Sequence, residues 1–408
     1  MEKEEKVKIL QDLIKIKTVN GNEEETAIYL KNLLAEHGID CELIKFDEGR
    51  YNLVSEIKNG EGKTLALSGH MDVVDQGDES KWVYPPFEAH IENDVIWGRG
   101  ASDMKSGLAA LLIAYIDAKE KNNFKGTLKF IATVGEEVGE LGAEQLTDLG
   151  YINGVDALII GEPCNVGVVF AHKGSLNYKV ISNGLGAHSS APEIGINAIE
   201  NLLEAMNKIN DKVRKIESEY SNEILGDMTH SITIVKGGTQ INSIPDHAEF
   251  EANVRTIPEF DNEKLIKEIQ NILDDLNKNE KFDLKMEITA NQAPVQSSPD
   301  SELVKTIMEV ANSIEGLLPQ NLAKVMGDVI GEDLTKNPLL SKLDSVKPMS
   351  VPGTTDGAQF IRANKDMDFA VYGPGVPMLN HRINERLPLS EYLDFIDAYI
   401  EIIKKYLN

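Results

Sequence analysis

The 408-residue chain is longer than one hydrophobic core usually serves, and its 41% apolar content can fill two, which predicts two ordered domains. Its 67 Asp and Glu outweigh 41 Lys and Arg, and the formal net charge of −26 repels a phosphate backbone, so no nucleic-acid partner is expected. The longest apolar stretch, residues 108–116, is far short of a membrane span, and Cys41 and Cys164 are too few for a disulfide framework.

The N-terminal MEKEEKVKILQDLIKIKTVN alternates charge with apolar residues at helical spacing and has no uninterrupted apolar segment of the signal-peptide kind. A cytoplasmic enzyme is the expected class. Apolar runs then alternate with helical patterns: TLALSG (64–69), GLAALLIAYIDAKEK (107–121), TLKFIATV (127–134) and ALIIG (157–161). That alternation predicts an α/β sheet, mixed but mainly parallel, with helices on both faces.

The order changes at Ser175. SLNYKVIS, HSITIV, HAEFEANVR and FDLKMEITA read as strands, interleaved with two long helical patterns, INAIENLLEAMNKINDKVRKIES and DNEKLIKEIQNILDDLNKN. This is β-α-β-β-α-β, the ferredoxin-like pattern, and it predicts a unit over 177–291 inserted into a discontinuous domain of 1–176 and 292–408. Long helices resume after Pro294, and DFAVYGPG (368–375) is a further buried-type strand.

Acids and histidines follow these strands. His70 ends the first, Glu136 and Glu137 follow TLKFIATV, Glu162 follows ALIIG, and His381 lies six residues after DFAVYGPG. Asp103 joins them from GRGASDMKSG, just before a helix. The carboxyl ends of strands in an open α/β sheet border one crevice, so five distant stretches are expected to deliver these groups to one place. Carboxylates gathered so closely repel unless cations neutralise them. Two imidazoles with several carboxylates suit a borderline divalent ion such as zinc, and the number of donors favours a pair of ions sharing a bridge. Asp72, two residues beyond His70 on an extended backbone, is placed to hold that imidazole through its second nitrogen. Any one of these acids alone is as readily a helix-capping or turn residue; their joint placement at strand ends carries the reading.

The stretch SGHMDVVDQGDESKWVYPPFEAHIENDVIWGRGASDMKSGLAALL, with GEEVGELGAE, GEP, GAHSSAPEIGINAI and HRINE, closely resembles the zinc-dependent succinyl-diaminopimelate desuccinylase, acetylornithine deacetylase, aminoacylase and carboxypeptidase family, from about residue 5 to 405. The resemblance implies two zinc ions, with cobalt or manganese as substitutes. His70 and Glu162 would hold one, Glu137 and His381 the other, and Asp103 would bridge them. Glu136 becomes the general base, Asp72 the acid orienting the histidine, and the Asp103–Met104 peptide is expected to be cis. The implied chemistry is amide hydrolysis by a metal-activated water whose proton Glu136 takes.

The inserted unit matches the family's lid or dimerisation domain, which implies a homodimer. His188 in GAHSSAP matches its oxyanion-stabilising histidine, Arg255 its carboxylate-binding arginine, and Asn242, Gly353 and Thr355 further substrate-contacting positions. The implied substrate is a small N-acyl amino acid, first N-succinyl-LL-2,6-diaminopimelate, then acetylornithine, then di- or tripeptides. Two departures bear on the acyl group. The residues after His188 read Ser189, Ser190, Ala191, Pro192, Glu193 where some desuccinylases have HVAYPH, and His172, Lys173, Gly174 stand where others have paired arginines. Three other classes fit less well. A dehydrogenase would require a third glycine where GRGASD has Asp103; no GxSxG elbow supports a serine hydrolase, and for a cysteine hydrolase Cys164, close to Glu162, reads as a small buried filler. A non-enzymatic binding protein leaves a filled set of ligand positions unexplained.

Overall fold

The computed structural model describes residues 1–338 and 340–408. The described chain divides into two compact units, Met1–Phe170 with Ser297–Met349 and Thr355–Asn408, and Ala171–Gln296 with Ser350–Thr354. These limits lie a few residues outside 177–291, because Val295 and Gln296 pair with His172 and Ala171. Ser350–Thr354 also falls in the second unit, where Val351 accepts from the Lys173 amide and Ser350 donates to the Ile224 carbonyl.

In the first unit, strands Glu42–Asp47, Arg50–Asn59, Gly126–Thr133, Thr64–His70, Ala157–Ile160, Asp368–Gly373 and Cys164–His172 lie side by side in that order. The four from Gly126–Thr133 to Asp368–Gly373 are mutually parallel, and the strands flanking them are antiparallel. Parallel strands are covered on both faces, which is why Ala157–Ile160 is buried at every residue and reads as an unbroken apolar run. Helix Lys105–Lys121 is buried all round from Lys105 to Ile116, as expected of a helix in the interior rather than on a surface. It packs closely because position 107 is glycine: a Cβ there would lie 1.8 Å from the Gly161 carbonyl oxygen. That contact seats the helix following Asp103 against the backbone preceding Glu162.

The parallel strands end together. His70 pairs with Thr133, and Ser68 with Ile160, so the residues that follow emerge along one rim of the sheet.

In the second unit, Thr229–Gly237, His247–Arg255, Ser175–Asn183 and Asp283–Gln292 form an antiparallel sheet in that order. With helices Ala198–Glu219 and Asn262–Asn277 the chain order is β-α-β-β-α-β, the ferredoxin-like topology. Each helix buries a stripe at three- and four-residue spacing, Leu202, Ala205, Ile209, Val213 and Ile216 on one and Leu265, Ile269, Leu273 and Leu276 on the other. Leu176, Tyr178 and Val180, together with Phe250 and Val254, supply the buried face of the sheet. The Asn197 and Asp261 side chains cap the two helices. No helix among the described residues is long and apolar enough to cross a membrane.

Candidate metal centre

His70 closes its strand and is fully buried. Its Nδ1 lies 2.8 Å from the backbone carbonyl of Asp72, and its Nε2 lies 3.4 Å from both Asp103 Oδ1 and Glu162 Oε1. A carbonyl oxygen only accepts, so Nδ1 carries a proton, and Nε2 faces two carboxylates. Opposite, His381 Nε2 lies 3.0 Å from Glu137 Oε2 and 3.3 Å from Asp103 Oδ2. Asp103 therefore presents one oxygen to each histidine, and Glu162, His70, Asp103, His381 and Glu137 form a continuous chain of near contacts. Glu136 completes it: ligand atoms of His70, Glu136 and Glu162 lie within 4.8 Å of one another, as do those of His70, Asp103 and Glu137.

The backbone supporting these groups is unusual at three points. His381 has φ 60°, a left-handed conformation costing a non-glycine residue about 1–2 kcal/mol, and Asn384 has φ 65°. The Asp103–Met104 peptide is cis.

The charges are unbalanced. Burial would raise the Asp103 pKa, but hydrogen bonds from His381 and His70 hold it well below the usual carboxylate range. The same contacts, with Asp103 and then Glu137, lift His381 to about 10. Burial opposes charge on His70, yet the Glu162 and Asp103 carboxylates hold its pKa well above normal. Burial lifts Glu162 to about 8, and burial followed by the Glu162 charge pushes Glu136 well above the ordinary range. Protons on both histidines and on some carboxylates thus stand where cations are wanted. A lone pair facing two carboxylate oxygens is repulsive unless a cation lies between them, so imidazole and carboxylate donors here suit a borderline divalent ion.

Asp72 is fully buried and does more than attend His70. Its carboxylate is 3.6 Å from His70 Nδ1, whereas its two oxygens accept from the backbone amides of Glu136 and Glu137 at 3.1 and 3.2 Å. The carbonyl of Asp72 reaches the imidazole first, leaving the side chain to brace the turn that carries both glutamates. Burial raises its pKa to about 6.

Within the second unit, His188 and Asn242 lie on neighbouring segments, since Ala187–His188 pairs with Ser243–Ile244 and the Ser189 amide donates to the Asn242 carbonyl. The Ser190 amide and hydroxyl both contact His188 Nδ1, at 3.2 and 2.7 Å. An amide donor to Nδ1 places the His188 proton on Nε2. His188 helps line a cavity of about 650 Å³. Arg255 ends its strand, half-buried and paired with Thr229, and Gly353 is exposed. Thr355, in the first unit, is buried and accepts from the Gly357 amide at 3.2 Å.

Several buried groups escaped the sequence reading. Asp356, beside Thr355, accepts from Thr133 Oγ1 at 2.6 Å, and burial lifts its pKa to about 7. Its signal was the acid in GTTDG (353–357), next to Thr355. Arg99 and Glu385 lie in the stretches GRGASDMKSG and HRINE, but nothing in the sequence marked them as a pair, because their pairing spans 286 positions.

Residues 66–335 match the model of peptidase family M20/M25/M40, and the chain belongs to this family. It is a hydrolase of amide bonds. The probable succinyl-diaminopimelate desuccinylase of Staphylococcus aureus (strain MSSA476) is 38% identical over 99% of this chain and 98% of its own length. A Staphylococcus epidermidis (strain RP62A) protein of the same description is 35% identical over 100% and 99%. The M20 family metallo-carboxypeptidase Sso-CP2 from Sulfolobus solfataricus shares the fold, with a TM-score of 0.72 at 21% identity across 100% of this chain and 99% of that one.

Proposed function

We propose that the protein is a dinuclear zinc amidohydrolase that cleaves N-succinyl-LL-2,6-diaminopimelate to succinate and LL-2,6-diaminopimelate, in the cytoplasm and as a homodimer. The observation that carries the metal reading is Asp103, whose two carboxylate oxygens face two different histidines. His70 and Glu162 would hold one ion, Glu137 and His381 the other, and Asp103 both. Such a pair, when bound, lowers the pKa of water and polarises a carbonyl.

The remaining work falls to side chains. Glu136 stands beside the ligands, and takes the proton of the attacking water and passes it to the departing amine nitrogen. Asp72 fixes the turn that separates this base from the adjacent ligand Glu137. His188, with its proton on Nε2, donates to the oxygen on which charge develops. Arg255 pairs with a substrate carboxylate, and Asn242, Gly353 and Thr355 are further substrate-contacting positions.

The succinyl assignment draws on the two staphylococcal relatives, which match this chain end to end. The dimer draws on the edge strand Thr229–Gly237, where Ile234 and Val235 are 41% and 58% exposed on a strand with one neighbour. Turnover of succinyl-diaminopimelate, acetylornithine and dipeptides, measured side by side, tests the assignment. The first is expected to give the highest kcat/KM, and no hydrolysis of it would reject the assignment.

A further inference from the structure

We infer that Glu385 and Arg99 are positioning residues that set Asp103 against His381 and thereby tune the affinity for the ion these two would share. The inference rests on the metal reading above.

Glu385 lies four residues beyond His381 in HRINE and is fully buried. Its Oε1 accepts from the backbone amides of Ser102 at 2.7 Å and Asp103 at 2.9 Å, and its Oε2 accepts from Arg99 Nη1 at 2.6 Å. Arg99, 1% exposed, also donates from Nη1 to the Arg382 carbonyl at 3.2 Å and from Nη2 to the Asp75 carbonyl at 3.1 Å. One ion pair thus grips the amide of Asp103 itself, the residue after His381, and the loop leaving His70.

A neighbouring bond closes the same gap. Ser102 Oγ donates to Asn380 Oδ1 at 2.9 Å and accepts from the Val376 amide at 2.8 Å, tying the residue before Asp103 to the residue before His381. Between these ties, His381 and Asn384 are held in left-handed conformations. Residues in such conformations persist only where their surroundings over-determine them. A buried ion pair is weak evidence of net stability, since desolvation offsets most of the attraction. Its value here is geometric: a carboxylate that serves two consecutive amides cannot shift without moving Asp103.

The test is calorimetric titration of Zn²⁺ into metal-free wild type, Glu385→Ala and Glu385→Gln, with the visible absorption of the Co²⁺-loaded forms and thermal unfolding of the metal-free forms beside it. Wild type is expected to bind two ions. Glu385→Ala should bind one of them about 10- to 100-fold more weakly, with a changed Co²⁺ spectrum. Glu385→Gln keeps an oxygen for the two amides but not the charge opposite Arg99, and should lose about tenfold. If Glu385→Ala does not fold, the glutamine variant decides. Wild-type affinities and spectra in the folded variants would overturn the inference, even with a lowered unfolding temperature, because that pattern is a purely structural role. Wild type binding fewer than two ions would overturn the metal reading, and the inference with it.

Discussion

Replacing Glu136 with glutamine separates the base from the ligands. Gln has the same shape, so no cavity opens. In the metal-free protein burial and the Glu162 charge push the Glu136 pKa upward, so the carboxylate is disfavoured there and a neutral amide of the same shape suits the site. The metal-free fold is therefore expected to lose less than about 3 kcal/mol, within the ordinary range of a single substitution. Turnover is another matter. A positioned base contributes roughly 10²- to 10⁴-fold, about 3 to 5 kcal/mol of barrier, and an amide cannot take the proton. Glu137→Gln makes the opposite change: it removes a charge 3.0 Å from His381 and should lower bound zinc. Metal content by elemental analysis and kcat on each variant check both expectations. If Glu136→Gln lost its metal while Glu137→Gln kept it, the two roles would be reversed and the reasoning refuted.

Asp72→Asn puts a donor against one of two backbone amides that now meet an acceptor, at a cost of about 1–3 kcal/mol, and should lower kcat more than zinc content. Denaturant unfolding and kinetics read the two effects separately. Gly107→Ala places a Cβ 1.8 Å from the Gly161 carbonyl and should destabilise the protein by about 1–3 kcal/mol or more, seen as a lowered denaturation midpoint. Burial lowers the His172 pKa to about 4 against roughly 6.5 in the unfolded chain. Between those values the unfolded chain binds the proton and the folded one does not. Stability is thus fully present above pH 6.5 and falls by about 3 kcal/mol as pH drops to 4. Urea unfolding at pH 7 and 4.5 should show a smaller loss in His172→Gln than in wild type, and equal losses would contradict this.

The central parallel strands were legible because burial on both faces forces continuous apolar runs such as ALIIG, and the second unit because its helices carry apolar residues at three- and four-residue spacing. His70, Glu136, Glu137 and Glu162 were legible for a topological reason: parallel strands end on one rim, so whatever follows them converges. The role of the Asp72 side chain was not. Extended spacing placed it near His70, but the hydrogen bond goes to whichever acceptor is nearer, and here that is the backbone carbonyl. The Arg99–Glu385 pair was invisible for a simpler reason. An ion pair across 286 positions leaves no periodicity, and each partner alone reads as a solvated surface charge.

The most direct test of a two-metal amide hydrolase is turnover of N-succinyl-LL-2,6-diaminopimelate by chelated protein as Zn²⁺ is returned stepwise. Activity is expected to vanish on chelation and to recover up to two ions per chain. Full activity in protein shown to be free of metal would contradict the account.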